Sequence, residues 1–71
     1  MIKINPAHLD KFKKIGRAYM YYISPGLFLS FDINSLEYKE PVDYIVRYKS
    51  NMSEIEVTIN KLIAIDVLEI I

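Results

Sequence analysis

The chain has no cysteine and no tryptophan, a single histidine, only two glycines and three prolines. Without cysteine there can be no disulfide framework. One histidine and no thiol cannot supply the usual four ligands of a structural zinc site. There is no glycine-rich phosphate loop and no G-x-S-x-G nucleophile elbow. His8 has no Ser or Asp at a telling spacing to complete a triad. Long apolar runs are missing too. Basic residues do precede an apolar stretch in the segment 11–31, but Ser24-Pro25-Gly26 breaks it. It falls short of the roughly 20 apolar residues of a span and has no small-residue cleavage site. These absences lead to the expectation of a cytoplasmic protein with no membrane contact, no cofactor, no metal and no enzymatic activity.

What is present is apolar and small. Seventy-one residues make one domain. A chain of this size buries only about 60% of its unfolded surface. Its apolar fraction of 52% is slightly more than one small core needs. With disulfide and metal excluded, self-association is the remaining staple. Usage is heavy in Ile, Lys, Tyr and Asn, whose codons are AT-rich. That composition suits low-GC bacteria and their phages.

Formal net charge is zero, so the whole chain has no strong pull toward nucleic acid. The charge is nevertheless split. Residues 1–24 carry Lys3, Lys11, Lys13, Lys14 and Arg17 against Asp10, a local charge of +4. Residues 25–71 carry the balancing −4.

Asn5-Pro6 reads as a helix start, with Asn as cap and Pro at the first position. Leu9, Phe12, Gly16, Tyr19 and Ile23 then recur at three- and four-residue steps, which predicts an amphipathic helix from Pro6 to Ile23. On that helix Lys11, Lys14 and Tyr21 share a second face, with Arg17 beside it. Ser24-Pro25-Gly26 ends it in a type II turn. From there the period is two. Leu27 to Ile33 and Leu36 to Glu40 form a hairpin that pairs Phe31 with Tyr38. Pro41 interrupts, and Val42 to Lys49 is a third strand. Residues 54–59 and 63–67, rich in Ile, Val and Thr, read as two more. A helix over 53–71, capped by Ser53 and Glu56, is the competing reading and is set second. The expected fold is therefore α+β: an N-terminal helix followed by a five-stranded antiparallel meander, as an open curved sheet or small barrel.

Glu54 and Glu56 would share a strand face, but the alternation of an amphipathic strand already explains them. The expected function is a small phage-type regulator or inhibitor that covers a surface of a larger protein partner. Lys11, Lys14, Arg17 and an outward Tyr21 are its candidate contact residues, since exposed Tyr and Arg often anchor interfaces. Homodimerisation is expected from the small core, from Gly16 and from the apolar end Leu68, Ile70 and Ile71. The alternative is a nucleic-acid-binding regulator using the same basic residues and stacking Tyr21 on a base.

Overall fold

In the computed structural model the described residues are mostly β, with one α-helix near the C-terminus. Residues 1–43 and 52–71 are described. The elements are β1 (Ile2–Ile4), a 3-10 helix (Pro6–Lys11), β2 (Lys13–Ile15), β3 (Ala18–Ser24), β4 (Leu27–Asp32), β5 (Tyr38–Asp43), α1 (Met52–Ala64) and β6 (Leu68–Ile70). Strands β2-β3-β4-β5 form an antiparallel sheet in that order, and β1 pairs with β6 in a second, two-stranded sheet.

The expected N-terminal helix is overturned. Asn5 does cap a helix, its side chain accepting from the Ala7 N–H at 3.1 Å with Pro6 at the first position. That helix is of the 3-10 type and ends at Lys11, with His8 already out of helical geometry. Phe12 is extended, at φ −116° and ψ 147°. From Lys13 the chain forms a hairpin. Ile15 pairs with Ala18 across a two-residue loop, Gly16-Arg17. Gly16 has φ +59°, as the first central position of a type II′ turn requires. Gly16 therefore does not sit on an apolar helix stripe. The residues after it, Tyr19 to Ile23, are aromatic and β-branched types that suit a strand.

Pro25-Gly26 makes the next turn, with Gly26 at φ +82° and Ser24 opposite Leu27. The expected Phe31–Tyr38 pair is present, with ring centroids 5.5 Å apart. Pro41 does not end a strand. It lies within β5 opposite Leu29, and β5 is the last strand of its sheet among the described residues. An edge strand tolerates a missing N–H. The expected third strand runs mostly outside the described residues.

The expected strands over residues 54–67 are also overturned, because α1 occupies most of that span. Ile55, Ile59 and Leu62 fall at four- and three-residue steps and turn one stripe into the core. That burial outweighs the strand preference of Ile, Val and Thr. Thr58 fits by donating its hydroxyl to the Glu54 carbonyl at 2.8 Å. The helix ends in a Schellman motif. The Val67 N–H donates to the Leu62 carbonyl at 2.9 Å and the Asp66 N–H to the Ile63 carbonyl at 3.1 Å. Asp66 takes the left-handed position at φ +63°, where Gly is usual. The motif sends the chain back as β6.

Ile4, Leu27, Leu29, Phe31, Val67 and Leu68 are the most deeply buried side chains. One face of the four-stranded sheet, α1 and the two-stranded sheet enclose them. The two sheets meet where the Ile4 N–H donates to the Leu36 carbonyl at 2.9 Å.

Candidate functional site

Phe12 fixes the geometry of the basic edge. Its buried ring lies 5.3 Å from Phe31 and 5.5 Å from Tyr21. Anchored there, the backbone turns from 3-10 helix to strand, and the cations on either side are left in solvent. Lys11 ends the 3-10 helix, Lys13 and Lys14 lie on β2, and Arg17 sits in the β2–β3 turn; all four are exposed. Strand β2 is short and borders the sheet. Lysines on such a strand discourage edge-to-edge pairing with other chains.

Three of the four candidate contact residues, Lys11, Lys14 and Arg17, thus lie exposed along one edge. The fourth does not face outward. Tyr21 is half-buried and packs on the core. The strand period explains this correction. Tyr19, Tyr21 and Ile23 share the core face of β3. The outward tyrosine is Tyr22, 57% exposed and edge-on to Phe28 at 5.7 Å. A helical projection places Tyr21 and Tyr22 the other way round, so the sequence signal was the alternation Tyr19, Tyr21, Ile23.

Asp32 is engaged within its own turn. The Asp32 carboxylate accepts from the Ser35 N–H at 2.8 Å, the Asn34 N–H at 2.9 Å and the Ser35 hydroxyl at 3.2 Å. The Ser35 and Asn34 N–H groups are the main cause of its lowered pKa. This ties the β4–β5 turn, in which Leu36 takes φ +65°. Glu54 and Glu56 are two apart on a helix, so they do not face each other. Among the described residues no three His, Cys, Asp or Glu gather to hold a metal ion. No helix of the described residues is long and apolar enough to cross a membrane. Comparisons with protein-family models, curated proteins and solved structures found no match to this chain.

Proposed function

We propose that the protein is a small regulator or inhibitor, without chemistry of its own, that acts in the cytoplasm by covering an acidic surface of a larger protein. The observation that supports this reading is the row of exposed cations at one edge: Lys11 at the end of the 3-10 helix, Lys14 on the border strand and Arg17 in the turn beside it. They stand on a frame set by the buried Phe12 ring. Cations held on a rigid frame need less ordering on binding than cations on a mobile tail. Arg17 supplies the planar, bidentate donor that suits a carboxylate.

The test is capture from a nuclease-treated lysate at moderate salt, with the wild-type chain and with K11E/K14E/R17E as baits. One stoichiometric protein retained by the wild type and lost by the variant supports the reading. The nucleic-acid alternative would show instead as direct binding of single- or double-stranded DNA that weakens steeply with salt. If the variant keeps the captured protein, the edge is not the contact surface.

A further inference from the structure

Strand β2 borders the four-stranded sheet, and β3 is its one neighbour among the described residues. Lys13, Lys14 and Ile15 are all exposed. A Cβ on the next residue, Gly16, would meet nothing within 4 Å. The pairing fixes which backbone groups face out. A two-residue loop closes on a hydrogen-bonded pair, here Ile15 and Ala18. Bonded and non-bonded pairs alternate along an antiparallel ladder. Lys13 and Met20 are therefore the next bonded pair, and Lys14 turns its N–H and C=O away from β3. Two residues earlier Phe12 faces the same way, but its N–H donates to the Leu9 carbonyl at 3.1 Å. The open stretch thus runs from Lys13 to Gly16. Lys14 opposes Tyr19 on the core face, and Lys13 opposes Met20 on the other, so the two lysines flank the edge from opposite sides. Ile15, 41% exposed, shares the face of Lys13. Lys11 and Arg17 stand at the two ends, and Asp10 is the one acid in residues 10–17.

We propose that an extended acidic segment of the partner adds to β2 as an antiparallel strand. The proposal rests on the reading of this edge as the partner contact, and it names the element that the partner brings. One residue of the added strand exchanges both backbone bonds with Lys14, as an antiparallel bonded pair does. Directly opposed side chains share a face. The residue facing Lys14 and the one after it, facing Lys13, are therefore acidic. The one before, facing Ile15, is apolar. Read from its N-terminus, the segment is apolar–acidic–acidic. A second copy of β2 does not fit. A two-fold axis centred on Lys14 would set Lys14 against Lys14, like charges directly opposite. The lysines that keep most strands off this edge thus leave it to a strand of opposite charge.

The probe is a blocked hexapeptide, Thr-Thr-Val-Glu-Glu-Thr, titrated at low salt into the isotope-labelled full chain. Amide shifts should centre on Lys13 to Gly16, and hydrogen exchange at Lys14 should slow on binding. The same peptide with every backbone nitrogen methylated keeps its charge and loses its donors. It should bind roughly tenfold more weakly. Lys14→Ala keeps the backbone donor, whereas Lys14→Pro removes it at a border position that tolerates proline. K14P should bind the parent peptide roughly tenfold more weakly than K14A. Far-UV circular dichroism checks that each variant keeps its fold, and where K14P does not, the methylated peptide decides. A methylated peptide that binds as well as the parent overturns the proposal. So does unchanged exchange at Lys14, or a single-stranded oligonucleotide that displaces the peptide at equal concentration. If partner capture depends on Lys11, Lys14 and Arg17 but methylation has no effect, the partner contact stands and strand addition falls. If the peptide protects Lys14 but capture ignores those cations, the reading of the edge as the partner contact falls instead.

Discussion

The side-chain amide of Asn5 donates to the backbone carbonyl of Asp66 at 2.9 Å, across 61 residues of sequence. The Asn5 backbone N–H donates to Val67 at 3.0 Å, and its side-chain oxygen caps the 3-10 helix. One residue thus closes the start of one helix and holds the end of another. It also keeps the strained Asp66 turn in register with β1.

Replacing Asn5 by Ala removes the cap and the clamp together. The expected loss is about 1–2 kcal/mol in urea unfolding, from one cap and one long-range hydrogen bond. Asn5→Asp keeps the capping acceptor but loses the amide donor. It should fall between wild type and N5A at low pH, where the new carboxyl is protonated and can donate. A stability of N5A equal to wild type would show that the clamp carries no energy.

Gly16 gives a test whose sign decides between two local structures. A Cβ there would meet nothing within 4 Å, so Gly16→Ala changes backbone strain and little else. At φ +59° the substitution should destabilise by about 1 kcal/mol. In the middle of a helix it would stabilise by about the same amount. Thermal unfolding of G16A therefore reads the hairpin directly.

Asp32 sets part of the acid limb of stability. Its carboxyl titrates below the ordinary 3.8 because it accepts the Ser35 and Asn34 N–H groups. A lowered value in the folded chain means that the unfolded chain takes up the proton first. The contribution is complete above the ordinary value and is lost as pH falls through the lowered one. The stability gap between wild type and Asp32→Asn should be constant near neutral pH and close as pH drops below about 4. A gap that does not change with acid would remove the carboxylate from the account.

Local chemistry with a single solution was legible in the sequence. Asn5-Pro6 capped a helix, Pro25-Gly26 made a turn, and Phe31 met Tyr38. Two segments were ambiguous because two periods fit the same residues. Phe12, Tyr19 and Ile23 suit a helix stripe, while Tyr19, Tyr21 and Ile23 suit a strand. Gly16 followed by Arg17 was the discriminating feature, since a Gly-X pair is turn chemistry. In α1 the β-branched residues pointed to strands and apolar residues lie on every side of a helical projection, so the stripe Ile55, Ile59 and Leu62 stands out only through its burial. Packing settled it, and packing depends on partners far along the chain. Exposure of Lys11, Lys14 and Arg17 follows in either structure. Which tyrosine faces out depends on the backbone, so Tyr22 was hidden until the strand was known.

The pairing of β1 with β6 joins Ile2 to Ile70 and Ile4 to Leu68, the most distant strand partners among the described residues. During synthesis β1 is made long before β6, and until β6 follows it can bond only to the β4–β5 turn, where the Ile4 N–H meets the Leu36 carbonyl. The β2–β3–β4–β5 meander can close by short-range contacts before then. Formation of the two-stranded sheet is therefore expected to be a late event, with the largest loop-closure penalty of any strand pairing among the described residues. Until it forms, the buried faces of Ile4 and Leu68 stay open to solvent and to other chains. The incompletely folded chain is most exposed to misassociation in that interval.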